Sequence, residues 1–186
     1  MRIISGNYKG KSIQYLKSKN TRPLKDSVKE NIFNILKHSN KINIDIKNAS
    51  VLDLYSGIGS FGLECISRGA REVTFVEQDE KAFHILEKNL HTLTAFSKAN
   101  TFNTKSINFL KKNHEPKYNI FFLDPPFANN EFIQDLDILK KNKNFKKKNV
   151  IIIHRKKNVE DNIGILFKIL FTRVYGKSKI IFGKFS

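Results

Sequence analysis

Apolar residues along this chain follow two alternating patterns. Residues 50–54, 72–76, 118–123 and 150–153 are short, nearly continuous apolar runs, the signature of strands buried on both faces. Between the first two, residues 60–68 read as a helix with Gly69 as its C-cap. After the second, a helix starts near Asp79 and places Phe83, Leu86, Leu90 and Leu93 on a buried face. This strand–helix alternation predicts a mostly parallel, doubly wound α/β sheet. Two β-rich segments, residues 166–174 and 179–185, meet at Tyr175-Gly176-Lys177 and predict a terminal antiparallel hairpin. Upstream, residues 2–5 and 11–15 read as a small hairpin turning through Asn7 and Gly10. Thr21-Arg22-Pro23 is a connector, and Ser27-x-x-Glu30 reads as a capping box. The helix it opens runs to about Lys37, with Val28, Ile32, Ile35 and Leu36 in one stripe, and a polar linker covers residues 40–48.

The first buried strand leads into Asp53-Leu54-Tyr55-Ser56-Gly57-Ile58-Gly59-Ser60-Phe61-Gly62. Glycines at Gly57, Gly59 and Gly62, between a strand and a helix, let the backbone turn sharply and approach a bound nucleotide. Glu77 ends the next strand about twenty residues on, the offset at which an acid accepts from ribose hydroxyls. The spacing alone fits either a dinucleotide or S-adenosylmethionine (SAM). Asp53 favours SAM: a carboxylate before the glycines would repel a pyrophosphate but accept from a cationic methionine end. Asp53, Tyr55, Gly57, Gly59, Gly62 and Glu77 are therefore candidate cofactor residues. An NAD-binding oxidoreductase is disfavoured by Asp53 and by the lack of a separate substrate domain.

Asp124-Pro125-Pro126-Phe127 follows the strand at 118–123, where a parallel sheet places its ligands. The prolines fix φ and donate no N–H. Asp124 and the Pro125 carbonyl can accept from an exocyclic amino group, while Phe127 offers a face for a base to stack on. Asp124, Pro125, Pro126 and Phe127 are the candidate catalytic residues. A mere strand-terminating turn is the bland alternative, disfavoured by the company of Asp53, the glycines and Glu77.

With these residues the chain resembles a class I SAM-dependent methyltransferase of the Rossmann-like type, in the branch that methylates amino nitrogens. Arg2-Ile3-Ile4-Ser5-Gly6 with Lys9-Gly10-Lys11 is similar to the opening of the bacterial small-subunit ribosomal RNA guanine-N2 methyltransferases of the RsmD family. Thr21-Arg22-Pro23 with Asp26, Val28, Glu30, Phe33 and Leu36 continues the likeness. So do Gly62-Leu63-Glu64, Ser67-Arg68-Gly69, Phe109-Leu110 and Tyr175-Gly176. The resemblance implies SAM as cofactor and transfer of its methyl group to a guanine 2-amino group in 16S rRNA. The expected partner is ribosomal RNA within a small ribosomal subunit or its assembly intermediate; the single cysteine fits a reducing cytoplasm, and, with nothing to suggest an obligate dimer, a monomer is expected. Two departures are plain. Asn103 and Thr104 are offered for the adenine, with Lys105 where an acid or amide is usual, and the fifth strand runs into His154-Arg155, where an acid is expected. The same tetrapeptide serves amino-group methyltransferases of DNA (adenine N6 or cytosine N4) or protein, and a non-catalytic RNA-binding module is the alternative of another class.

Composition adds a partner. Net charge is +17 and unevenly spread. Residues 1–41 carry ten Lys/Arg against two Asp/Glu, residues 50–100 five against seven, and residues 101–186 eighteen against seven. Sparing of the cofactor half argues for a polyanion held by the N-terminal arm and the C-terminal half. Arg2, Lys9, Lys11, Arg22 and Lys25 are the candidate RNA contacts, and residues 1–41 form an extension to a methyltransferase domain at 50–186. The basic run at 140–148 reads as a solvated loop before the fifth strand. The single cysteine, Cys65, excludes an internal disulfide and reads as a core residue. The five histidines show no metal-ligand spacing and read as incidental, and no metal is expected. No apolar run reaches the roughly twenty residues of a membrane span, and no signal peptide is apparent.

Overall fold

The computed structural model describes residues 1–15, 24–112, 116–126 and 130–186. Seven strands form one sheet: β1 (Ser50–Leu54), β2 (Glu72–Glu77), β3 (Ala99–Asn103), β4 (Tyr118–Leu123), β5 (Phe145–Lys156), β6 (Lys168–Tyr175) and β7 (Ser178–Lys184). Their order is β3-β2-β1-β4-β5-β7-β6. The first five are parallel, and β7 runs antiparallel between β5 and β6. Strand order reverses between β1 and β4, so the crevice for a ligand opens beyond the carboxyl ends of those two strands. Both faces of the sheet are covered. Helices α1 (Asp26–His38), α2 (Ser60–Ser67) and α3 (Glu80–Thr92) pack with Val51, Phe75, Ile120 and Ile152 on one side. Helices α4 (Ser106–Lys112) and α5 (Phe132–Lys141) pack with Leu52, Phe121 and Ile151 on the other. The terminal hairpin forms as predicted, turning at Gly176 with φ 57°.

Helix α2 ends in a Schellman turn. Gly69, at φ 94°, donates to the Ile66 carbonyl, and Ala70 donates to that of Cys65. Cys65 is buried, as read. Gly62 has a different use: a Cβ there would lie 2.2 Å from the Phe75 ring, so only glycine lets α2 sit this close to β2.

Several expectations need correction. Helix α1 begins at Asp26 after Lys25, and no side chain caps it, so Ser27 is not an N-cap. The Asp26 carboxylate occupies the first turn and pairs with Lys29 at 3.5 Å, which favours the N-terminal dipole without a cap. Its buried stripe includes Phe33 and the whole of Lys29, whereas Ile35 is half-buried. The N-terminal hairpin is shorter than read: its arms meet at the Arg2–Ser12 bridge, with Ile3 N–H donating to Lys11 O and Ile13 N–H to Met1 O, while side chains of α2 accept from the amides of residues 4, 5 and 8. Phe83 is half-buried rather than buried. The basic run at 140–148 is not one loop. Strand β5 starts at Phe145, and between Tyr118 and Ile120 of β4 it advances from Phe145 to Val150, bulging through its lysines.

The N-terminal arm is fastened to the cofactor helix by residues far apart in sequence. Glu64 of α2 accepts from the amides of Ile4 at 2.8 Å and Ser5 at 3.0 Å, and from Arg68 Nε at 2.8 Å. Ser67 accepts from the amides of Asn7 and Tyr8. A Cβ on Gly6 would stand 1.9 Å from the Ser67 carbonyl oxygen, so this approach requires glycine. Lys29 reaches through the interior to donate to the Arg2 carbonyl at 3.0 Å and to Ser60 Oγ at 3.3 Å. Burial lowers its pKa, and Glu64 and Asp26 oppose that shift. Asn89 of α3 exchanges hydrogen bonds with the backbone of Gln14 and donates to the Ile58 carbonyl in the glycine loop. Arg68 lies over Phe33 at 4.3 Å, and Phe33, Phe61 and Phe122 stack in sequence from α1 through α2 to β4.

Candidate active site

The site is built where β1, β2 and β4 end. Asp53 is the fourth residue of β1, 1 % exposed, and its Oδ2 accepts from the Gly62 amide at 2.9 Å. Its Oδ1 is buried without a partner. Burial pushes this carboxyl well above the usual range; the Gly62 amide works against that, and Asp124 and Glu77 add to it. A buried acceptor left open at the mouth of a glycine loop fits a cationic group such as the ammonium of a methionine.

The glycines divide their labour. Gly57, at φ 55°, faces open space: a Cβ there would meet nothing within 4 Å. Gly59, at φ 85°, is the left-handed N-cap of α2, and a Cβ there would press on Leu86 at 2.4 Å. Of the three, Gly57 alone presents its Cα to the open side, while Gly59 and Gly62 bring α3 and β2 close. Gly59 and Gly62 thus serve packing in addition to their place in the loop read as cofactor-binding.

Glu77 ends β2 with one oxygen on each loop of the site. Oε2 accepts from Gly57 N–H at 2.7 Å and Oε1 from Asp79 N–H at 2.7 Å. Burial raises its pKa, opposed by the Asp79 and Gly57 amides. Asp79 itself caps α3 by accepting from the Ala82 amide. A carboxylate has about four acceptor positions, so Glu77 can accept from a ribose hydroxyl beside these amides. The Glu77 carbonyl accepts from Asn103 Nδ2 at 2.9 Å and the Thr104 amide at 3.0 Å, which brings both adenine candidates to this edge. Lys105 is exposed, and its carbonyl accepts from the first amides of α4.

Tyr55 holds a positive φ of 60°, sparsely populated for a side chain of this size. Its hydroxyl is engaged by two helices: it donates to Asp135 of α5 at 2.6 Å and accepts from Ser106 of α4 at 3.1 Å. Burial and then Asp135 hold the phenol protonated. Tyr55 thus anchors the β1 loop to two helices, a use its place in the glycine stretch did not disclose.

Asp124 directly follows β4, its amide facing the Leu54 carbonyl, with its side chain about a quarter exposed. Pro125 is buried and Pro126 exposed. Two residues beyond the apolar core of β5 support this turn. His154 Nδ1 lies 2.9 Å from Asp124 Oδ1. Arg155, fully buried, makes a two-pronged pair with Asp161, Nε to Oδ2 at 2.9 Å and Nη2 to Oδ1 at 2.8 Å. The same guanidinium donates to the Pro126 carbonyl at 3.3 Å and Asn130 Oδ1 at 3.2 Å, and stacks on Phe132 at 4.6 Å. The reading of His154 as incidental is therefore corrected. Its signal was available: charged residues closing an all-apolar strand on the ligand side of the sheet.

Arg2, Lys9, Lys11 and Lys25 are exposed, with Lys11 over the Tyr8 ring. Arg22, Phe127 and His114 lie outside the described residues. Among the described residues no cluster of metal-binding side chains occurs, and no helix is long and apolar enough to cross a membrane. A cavity of about 540 Å³ at the opposite end of the sheet, lined by Arg71, Thr74, Tyr118 and Lys146, is remote from this chemistry.

A sheet with β7 threaded antiparallel between β5 and β6, and an open acceptor at the β1 turn, defines a class I SAM-dependent methyltransferase. Comparison with known proteins narrows the class. The chain belongs to the family described as Conserved hypothetical protein 95, whose model matches residues 1–184. It is 39 % identical to the ribosomal RNA small subunit methyltransferase D of Haemophilus influenzae over 154 residues, 82 % of this chain and 76 % of that one. It is 35 % identical to the protein of the same name from Escherichia coli K12 over 142 residues, 76 % of this chain and 68 % of that one. The Escherichia coli structure described under the name methyltransferase yhhF superposes with a TM-score of 0.84 at 27 % identity, covering 100 % of this chain and 98 % of that one.

Proposed function

We propose that this protein methylates the exocyclic 2-amino group of a guanine in small-subunit ribosomal RNA, with SAM as donor. The carrying observation is the adjacency of two acceptors at the switch point, Asp53 with its open Oδ1 and Asp124 with its partly exposed carboxylate. Asp53 would hold the methionine ammonium, Gly57 the close approach of the cofactor chain, and Glu77 the ribose, with Asn103 and Thr104 beside the adenine. The bound sulfonium supplies an electrophilic methyl group. The remaining work is alignment and desolvation of a poor nucleophile, since the guanine amino lone pair is delocalised into the ring. Asp124 and the Pro125 carbonyl would accept the two amino N–H bonds and aim the nitrogen lone pair. Phe127 is assigned to the face of the flipped base.

Residues 1–41 act as an RNA-gripping extension of the methyltransferase domain at 50–186. Exposure of Arg2, Lys9, Lys11 and Lys25 supports this, and Arg22 joins them on sequence grounds. We further infer that the protein acts as a monomer on a small subunit or its assembly intermediate.

The test is an assay with methyl-labelled SAM on ribosomal RNA, on small subunits lacking the modification, and on duplex DNA. Label in N2-methylguanosine is expected. Label in DNA or protein would keep the class and discard the substrate. Asp124→Ala is expected to lose at least a hundredfold in kcat while still binding SAM, and an active Asp124→Ala protein would sink the role of Asp124.

A further inference from the structure

We propose that His154 is a positioning residue for Asp124: it holds one carboxylate oxygen so that the other is presented to the substrate amine. This rests on the reading of Asp124 just given. Sheet register brings the two residues together. The last paired residues of β4 and β5 are Leu123 and Ile153, so Asp124 and His154 stand side by side one step further on. Phe122 and Ile152, two residues back on each strand, belong to the core on the α1–α2 side, and strand alternation returns Asp124 and His154 to that same side. Arg155, the neighbour in sequence, points to the opposite face and is spent on Asp161, Pro126 and Asn130.

The geometry dictates who donates. An ionised carboxylate only accepts, so the 2.9 Å contact requires a proton on His154 Nδ1, whether the ring is neutral or cationic. Asp124 Oδ1 is thereby engaged, and Oδ2 is the oxygen left to face the amine. The His154 side chain is 9 % exposed and that of Asp124 24 %, so solvent reaches the carboxylate more readily than the imidazole behind it. Asp53 lies close enough to Asp124 for mutual electrostatic influence, and Arg155 turns away from the pair. The consequence is a carboxylate with one oxygen held from behind and the other turned toward the substrate.

The test compares kcat and KM of wild type, His154→Ala and His154→Asn, with SAM affinity by calorimetry and Asp124→Ala as control. His154→Ala is expected to lose about tenfold or more in kcat, with SAM affinity within twofold. In His154→Asn the side-chain N–H stands where Nδ1–H stood. That variant is expected to recover most of kcat, because the donor to Asp124 Oδ1 is restored. Should His154→Ala fail to fold, His154→Asn against His154→Gln carries the test, since glutamine cannot place its donor at the Nδ1 position; equal activity of the two overturns the inference. An inactive Asp124→Ala beside a His154→Ala protein with unchanged kcat overturns this inference alone. An active Asp124→Ala overturns it together with the reading on which it rests.

Discussion

Glu77 and Gly57 are joined by a 2.7 Å hydrogen bond from the glycine amide to the carboxylate, and the other oxygen of Glu77 is bound to the Asp79 amide. One side chain therefore fastens the glycine loop to the turn that opens α3. Glu77→Gln puts an NH2 group against one of those amides, donor to donor, with nowhere to relax in a buried setting. A tenfold or greater loss of S-adenosylhomocysteine affinity is expected, about 1.4 kcal/mol, read by titration calorimetry. Unchanged affinity would show that the loops do not need this clamp.

Asp53 sets function against stability. Burial raises its pKa in the folded state, and an acid shifted upward contributes stability that is complete below its unfolded-state pKa and is lost as pH rises toward the folded value. Asn cannot ionise and escapes that loss. Asp53→Asn is therefore expected to melt a few degrees above wild type near pH 8, with the gap closing toward pH 4, and to bind SAM poorly. Calorimetric melts across pH check the sign, and a gap that widens in acid would contradict it.

Gly62 should be judged by packing. Gly62→Ala drives a methyl group into the Phe75 ring from 2.2 Å and is expected to cost about 1–3 kcal/mol in urea unfolding. Adding Phe75→Leu should return part of that loss. If Gly62→Ala instead keeps full stability and loses SAM affinity, the glycine is a ligand contact after all.

Arg155 and Asp161 form a pair in which both side chains are fully buried. Arg155→Ala strands the carboxylate and is expected to cost about 3–5 kcal/mol. Arg155→Met with Asp161→Leu should regain most of that stability, yet stay slow in methyl transfer, because the Pro126 carbonyl and Asn130 have lost their donor. Recovery of both stability and rate would show that the catalytic turn holds itself.

The strands were legible where burial is two-sided. Ser50–Leu54 and Tyr118–Leu123 emerge with the bounds read from their apolar runs, and the acids at Asp53, Glu77 and Asp124 fall at the switch point that their spacing implied. What stayed hidden was polar and interior. A lysine in an amphipathic helix reads as solvated, yet Lys29 is wholly buried because the Arg2 carbonyl and Ser60 wait for it. Glu64 reads as a motif residue without a task until Ile4 and Ser5 present their amides, sixty residues away in sequence. His154 acquires its partner only through the register of β5 with β4, which the apolar pattern of β5 does not specify. The bulge that absorbs Lys146, Lys147 and Lys148 breaks the period-two count from which that register would be read.

That bulge also governs where this chain can grow. From Val150 to Arg155 a single inserted residue would exchange the faces of His154 and Arg155, sending the imidazole toward Asp161 and the guanidinium toward Asp124. Before Val150, slack already exists, and an added lysine would lengthen the bulge while the paired strand beyond it keeps its count. Drift in length is thus tolerable on the basic side of one short segment and ruinous on the other. A library of single insertions across β5 should divide sharply at Asn149.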